Sequence, residues 1–257
     1  MKVVIPMAGT GDRYLRAGYT GPKPLIPVDG RPMIEHVIDL FPGERDFLFI
    51  CNRHHLATTP LEKILRQKVP NCEIVAIESH KRGPVHTVLE AIDRVPDDDE
   101  TIVNYCDFSA RWDYADFIRQ LHARRADGGI SAYRGFHPHS LGHTLYAYMR
   151  VDADRWMQEI KEKGHFTPDR MQEFASAGTY YFARGAYVKK YFAELVEKNV
   201  NLNGEFYVSL VYNLMQRDGL RTLVHEMSHF LQWGTPEDLD EYKYWSSYFH
   251  DPRVSGR

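Results

Sequence analysis

The chain opens MKVVIPMAGTGDRYLRAGYTGPKPLIPVDGRPMI, Met1 to Ile34. A short apolar run, Val3-Val4-Ile5, leads into a glycine-rich segment, Ala8-Gly9-Thr10-Gly11-Asp12-Arg13, and a lysine follows in Gly21-Pro22-Lys23-Pro24-Leu25. Glycines let a backbone approach an anion with its N–H groups directed inward, and Arg13 and Lys23 add fixed positive charge. The combination suits a triphosphate. About twenty residues separate this first strand from the next helical pattern, far more than the usual two to six, so the segment reads as a long functional loop.

Outward from that stretch, strands and amphipathic helices alternate. Val3–Met7, Phe47–Cys51, Glu73–Ile77 and Thr101–Tyr105 read as strands. Helical faces recur at Met33, Ile34, Val37 and Ile38, and again at Val85, Val88, Leu89 and Ile92. Thr59-Pro60-Leu61-Glu62 reads as a capping box with Pro at the first helical position, opening a helix through Leu61, Ile64 and Leu65. The second half adds strands at Gly129–Gly135, Thr144–Asp152 and Gly178–Ala183, helices near Tyr187–Lys198 and Glu205–Arg217, a β-rich region to Trp233 and a final helix from Thr235-Pro236. The expected fold is α/β, a Rossmann-like three-layer sandwich with a mixed, mostly parallel central sheet. Residues 1–257 are expected to form one domain, with a nucleotide-binding half to about residue 110 and an acceptor-binding half from about residue 111.

Composition narrows the class. With 257 residues, 43% apolar and 26% charged residues and a net charge of −3, the chain reads as an ordinary globular protein, and its charge gives no reason to expect nucleic-acid binding. Cys51, Cys72 and Cys106 are widely spaced, which argues against a disulfide framework or a thiolate zinc site. No signal peptide or membrane span is read, and a cytoplasmic location is expected.

The glycine-rich segment lacks the Gly-x4-Gly-Lys-Ser/Thr of a P-loop. It also differs from a dinucleotide fingerprint, since Tyr14 replaces the third glycine and no immediate helix is expected. Gly9-Thr10-Gly11-Asp12-Arg13, then Pro22-Lys23-Pro24-Leu25, then Leu25-Ile26-Pro27-Val28-Asp29-Gly30-Arg31-Pro32-Met33 resembles the signature of nucleotidyltransferases that make sugar nucleotides and CDP-linked metabolites, enzymes of the GT-A type of fold. The resemblance runs along almost the whole chain. It implies an NTP held by Met7, Ala8, Gly9, Gly11, Gly83 and Asn104, with Arg13 and Lys23 as catalytic cations. It also implies Mg2+ on Asp107, which stands in Cys106-Asp107 where the family has a strand-end Gly-Asp. Glu162-Lys163-Gly164, Gly178-Thr179-Tyr180-Tyr181-Phe182 and Gly204-Glu205-Phe206 resemble acceptor-site segments, which nominates Lys163, Gly178, Thr179 and Glu205.

One position departs from the pattern. The family usually places a second metal-binding aspartate two residues before Gly-Thr, and this chain has Gln232 there. A neutral amide oxygen ligates magnesium more weakly than a carboxylate. Asn104-Tyr105-Cys106-Asp107-Phe108, Arg134-Gly135-Phe136-His137-Pro138-His139 and Gln232-Trp233-Gly234-Thr235-Pro236 resemble a capsule-biosynthesis branch that includes CTP:phosphoglutamine cytidylyltransferases. That branch implies CTP, a glutamine phosphate acceptor, a CDP-glutamine product for capsule phosphoramidate, and acceptor contacts from Arg134, His137 and His139. A charged histidine beside Arg134 suits an anionic acceptor. A sugar-1-phosphate nucleotidyltransferase making an NDP-sugar for surface polysaccharide is the alternative within the class.

Outside it stand a glycosyltransferase, for which Asp107-Phe108-Ser109 lacks an Asp-x-Asp pair, and a catalytically silent nucleotide sensor, favoured only by Gln232. The partners expected are an NTP and a small phosphorylated acceptor, with no nucleic acid and no membrane, and a homo-oligomer is left open. His225-Glu226-Met227-Ser228-His229 spells a zinc-protease motif, but the alternation around it predicts a strand, in which the two histidines stand about 13 Å apart. His137, His139 and His143 read as a loop cluster.

Overall fold

The computed structural model describes residues 1–141 and 146–250, apart from the side chains of residues 139 and 141. The expectations that rest on the His139 side chain, on His143 and on Thr144 lie outside the described residues.

The first half supplies β1 (Lys2–Met7), a five-residue α1 (Asp12–Arg16), the short pair β2 (Pro27–Val28) and β3 (Arg31–Pro32), and α2 (Met33–Ile38). It continues with β4 (Asp46–Asn52), α3 (Arg53–Thr58), α4 (Leu61–Lys68), β5 (Glu73–Ile77), α5 (Pro84–Leu89) and β6 (Thr101–Asn104). The second half supplies β7 (Phe108–Arg111), α6 (Tyr114–Ala123), β8 (Gly128–Tyr133), β9 (Tyr148–Val151), β10 (Met157–Lys161) and β11 (Phe174–Phe182). It ends with α7 (Gly185–Glu197), α8 (Val208–Arg217), β12 (Thr222–Glu226), β13 (His229–Gln232) and α9 (Pro236–His250).

Among the described residues nine strands form the central sheet, with the path β10-β9-β11-β6-β1-β4-β5 and with β8 bridging β11 to β12. Strands β6, β1, β4 and β5 run parallel, as their helical crossovers require, and β12 is parallel to β8. Strand β11 runs antiparallel to β6, β8 and β9. It therefore carries one sheet through both halves of the chain. The fold is the mixed α/β three-layer arrangement that the sequence predicts.

Alternation along β1 explains the layers. Val3, Ile5 and Met7 face one core with Ile34, Val37, Leu61, Leu65, Phe117 and Leu121. Val4 faces the other, with Val85, Val88, Phe192, Leu195, Val211 and Tyr212. Each such aliphatic side chain, fully buried, contributes about 1.5–3 kcal/mol.

A third cluster joins the ends of the chain: Tyr14, Ile26, Val28, Met33, Trp233 and Leu239. It corrects the expectation of a structureless loop after β1. That stretch holds α1, a 3₁₀ turn at Lys23–Leu25 and the β2–β3 pair. A helix does follow the glycines directly, because Tyr14 is buried under the carboxyl-terminal segment and fixes the turn. The Tyr14 hydroxyl lies 2.6 Å from the Trp233 carbonyl and 2.9 Å from that of Thr235.

The capping box at Thr59 also fails to close. Helix α4 starts one residue later than the box requires, with Pro60 at the cap; the Thr59 hydroxyl accepts from Leu61 N at 3.4 Å and donates back to His55 O at 2.6 Å, while Glu62 pairs with Arg66.

Candidate active site

The carboxyl ends of β1 and β6 open into a cavity of about 610 Å³. In open α/β sheets this is where ligands bind. Its walls include Met7 to Arg13, Lys23, Gly83, Asp107, Lys163, Glu205 and Gly234. Segments far apart in sequence converge here because β1 and β6 are neighbours and β7 turns back directly after Asp107.

One wall is ionic. Lys23 Nζ donates to Asp107 Oδ2 at 2.6 Å and to the Gly234 carbonyl at 2.9 Å, and stands 5.3 Å from the centre of the Tyr14 ring. The pair is held by backbone: Trp233 N donates to Asp107 O at 2.9 Å, where β13 runs antiparallel to β7. Burial, with Asp107 close by, pushes the Tyr14 phenol upward, so it stays a neutral donor. Cys106, the neighbour of Asp107, is pushed up to about 12 by burial and is an inert thiol at neutral pH. Arg13 lines the cavity from exposed α1. Beside it Asp12 pairs with Lys81, and the Lys81 hydrogen bond holds the Asp12 carboxyl below its usual range.

Another part of the lining is a relay. Lys163 Nζ donates to the Tyr207 hydroxyl at 2.7 Å, and that hydroxyl donates to Glu205 Oε2 at 2.7 Å. Gly83 ties this wall to the nucleotide half. Its backbone adopts φ +86°, and a Cβ there would lie 2.7 Å from both N and O of Phe206. The close approach lets Phe206 N donate to Arg82 O at 2.9 Å and Val85 N to Phe206 O at 3.2 Å.

Several nominated residues stand elsewhere. Asn104 and Thr179 are fully buried beneath the floor, where the Thr179 hydroxyl donates to Asn104 Oδ1 at 2.6 Å. The Gly178 carbonyl accepts from Tyr105 N at 3.1 Å, and a Cβ at Gly178 would press on Phe108 at 3.0 Å. These three shape the floor rather than line the cavity. Arg134 lines a separate cavity of about 470 Å³ with Arg150, Arg155 and Phe174. His137 packs between Tyr133 and Phe230 with Nε2 3.0 Å from Phe230 O, and burial lowers its pKa, which disfavours the charged form expected of it.

Gln232 also turns from the cavity. Its Oε1 accepts from the Tyr146 hydroxyl at 2.6 Å and its Nε2 donates to Asp238 Oδ1 at 2.7 Å. His225 lies on β12, buried against Phe117, and His229 on β13, so the protease spelling builds no helical ligand pair.

Sequence reasoning misses Tyr207 and Lys81. Both leave signals. Glu205 and Tyr207 are two apart in extended chain, which sends them to one side, and Lys81 belongs to the basic run His80-Lys81-Arg82 directly before Gly83.

The family model described as the MobA-like NTP transferase domain matches residues 3–167. The "Bifunctional protein GlmU" of Oceanobacillus iheyensis is 28% identical over 223 residues, covering 84% of this chain and 45% of that protein. The chain thus spans about half the length of the curated relatives it matches. Among solved structures, a nucleoside-diphosphate-sugar pyrophosphorylase from Vibrio cholerae RC9 superposes with a TM-score of 0.77 at 22% identity, covering 94% of this chain and 99% of that one. A provisionally assigned glucose-1-phosphate thymidylyltransferase from Bacillus anthracis gives a TM-score of 0.71 at 17% identity, covering 95% and 94%. At these identities the two structures speak to the fold.

Proposed function

The chain belongs to the MobA-like NTP transferase family, and from that premise we propose that it moves a nucleoside monophosphate from an NTP onto a small phosphorylated acceptor, with release of pyrophosphate. The observation that carries the reading is one cavity with two unlike walls. The glycine-rich loop, Lys23 and Asp107 form one, and the Lys163–Tyr207–Glu205 relay forms the other.

The acceptor phosphate is an anion at neutral pH and needs no strong general base. Its oxygen attacks the α-phosphorus in line, a P–O bond forms, and the bond to the β-phosphate oxygen breaks with its electron pair leaving on pyrophosphate. Catalysis then rests on positioning and charge neutralisation. Lys23, already poised over Asp107, meets the α-phosphate. Arg13 meets the departing β- and γ-phosphates from α1. Lys163 steers the acceptor phosphate, and Glu205, held by Tyr207, accepts from acceptor hydroxyls.

Magnesium commonly binds through one or two carboxylates plus substrate phosphates, and Asp107 fits that role at the cavity wall. When bound it supplies charge to the phosphates. Gly83 and the loop from Met7 to Gly11 form the surface against which the nucleoside lies.

For the acceptor, a sugar 1-phosphate is the first choice. The Vibrio cholerae neighbour is a nucleoside-diphosphate-sugar pyrophosphorylase, and Glu205 with Tyr207 offers acceptor and donor groups suited to sugar hydroxyls. Glutamine phosphate with CTP is the second reading. It rests on the Asn104–Phe108 and Gln232–Pro236 segments that resemble the capsule cytidylyltransferases.

The test is pyrophosphate release with magnesium, each NTP crossed with hexose 1-phosphates and glutamine phosphate. Release with a hexose 1-phosphate supports the first choice, and release only with CTP and glutamine phosphate moves the assignment to the second. No release from any pair overturns the transferase reading.

A further inference from the structure

Two carboxylates from distant parts of the chain border one point beside the cavity. Asp107 follows β6 and Asp238 lies in the first turn of α9. A Cβ built on Gly234 would lie 3.7 Å from Asp107 Oδ2 and 3.8 Å from Asp238 Oδ2. Gly234 carries no side chain, so this point stays unfilled beside the two oxygens and the Tyr146 hydroxyl, which would lie 4.0 Å away, and Gly234 itself lines the cavity.

The two acids differ in how they are satisfied. Asp107 Oδ2 accepts from Lys23 at 2.6 Å. Asp238 is 6% exposed; its Oδ1 accepts from Gln232, while its Oδ2 is buried with no hydrogen-bond partner. Burial disfavours the Asp238 carboxylate, and Thr235, whose hydroxyl accepts from Asp238 N at 3.2 Å, offsets this in part through hydrogen bonding from its side chain and backbone. Buried polar atoms in native folds are nearly always paired, and leaving one unpaired is costly. An orphaned carboxylate oxygen facing a second carboxylate is the arrangement a hard cation completes.

Gln232 is placed to serve Asp238. The chain of donors runs from the Tyr146 hydroxyl to Gln232 Oε1, and from Gln232 Nε2 to Asp238 Oδ1. The amide therefore fixes the carboxylate instead of reaching the cavity.

We propose that the orphaned Asp238 carboxylate, set opposite Asp107 across Gly234, is the second acidic ligand of a divalent-cation site, and that Gln232 is a positioning residue that orients it. The acid missing at position 232 is supplied from the following helix, six residues on. This rests on the nucleotidyltransferase reading, in which Asp107 takes magnesium with the triphosphate.

The experiment titrates Mn2+ into the intact protein, with and without a non-hydrolysable NTP analogue, and follows free Mn2+ by EPR. Asp238→Asn keeps the shape and should weaken Mn2+ binding at least about tenfold, and Asp107→Asn should do the same. Gln232→Ala should weaken it within the ~10–100-fold typical of residues that orient ligands. Gly234→Ala leaves both acids in the sequence and sets a methyl against their oxygens, so it gives the same loss even if Asp238→Asn does not fold.

Wild-type Mn2+ affinity in folded Asp238→Asn, or in Gly234→Ala, overturns the proposal. Pyrophosphate release by wild-type protein is measured alongside. Its absence with Mn2+ binding intact would count against the transferase reading and leave the cation site standing. Its presence with Asp238→Asn binding Mn2+ normally would do the reverse.

Discussion

Replacing Gly83 by alanine tests the joint between the two walls of the cavity. Gly83 sits at φ +86° and ψ 174°, a region nearly reserved for glycine. A Cβ there would lie 2.7 Å from the backbone N and O of Phe206, which cannot swing away as a flexible side chain can. Backbone strain of about 1–3 kcal/mol and overpacking of about 1–3 kcal/mol together give a loss of about 2–6 kcal/mol.

Set against a usual stability of about 5–15 kcal/mol, that is a large fraction. For a chain of this size each kcal/mol shifts Tm by about 2–4 °C, so Tm should fall by at least about 4 °C. Urea unfolding measures the loss, with the slope unchanged if only the native state is affected. Gly9→Ala is the control: a Cβ there meets nothing within 4 Å, and its change should stay within about 0.5 kcal/mol. A Gly83→Ala protein within about 0.5 kcal/mol of wild type would refute the reasoning.

Three further outcomes are expected. Lys23→Met should lower kcat by about 10²–10³-fold, the usual cost of losing a group aimed at transition-state charge, and a kcat within threefold of wild type removes Lys23 from the chemistry. Tyr207→Phe breaks the Lys163–Tyr207–Glu205 relay; hydrogen bonds to charged groups contribute about 1.5–3 kcal/mol, so KM for the acceptor should rise about 10–100-fold while KM for the NTP holds. Burial lowers the pKa of His55, His86, His137 and His225 below 6.5. Below pH 6.5 the unfolded chain therefore binds protons that the native chain refuses, and the urea midpoint should drop as pH falls from 7 to 5; a flat profile would contradict this.

How much of this was legible in the sequence varies by element. The parallel strands announced themselves because each is a short apolar run bounded by turn residues, and their helices carry apolar faces at helical spacing. Helix α6 is absent from the sequence reading although Tyr114, Phe117 and Leu121 mark its buried face and the Asp113 side chain caps it by accepting from Asp116 N. Strand β7 left no local signal. Phe108–Arg111 is four residues long, and its partner β13 lies more than a hundred residues away, so only tertiary pairing defines it.

The site divides along the same line. Arg13, Lys23, Gly83, Asp107, Lys163 and Glu205 carry side chains or backbone that meet at the cavity, and short motifs mark each. Asn104, Gly178 and Thr179 carry the same kind of motif yet sit one layer below, since a motif records position along the chain and not depth. Asp238 was invisible because its environment is made by Gln232, Tyr146 and Gly234, and Tyr146 is 92 residues away along the chain from Asp238.

The central claim is transfer at the α-phosphorus between two substrates in one cavity. Its most direct measurement follows the label from NTP carrying radiophosphorus at either the α or the γ position, incubated with magnesium and the acceptor identified by pyrophosphate release. The account predicts that α-label moves to the acceptor product and γ-label leaves in pyrophosphate, each only when both substrates are present. Label from the γ position on the acceptor, or released as free phosphate without acceptor, would contradict it.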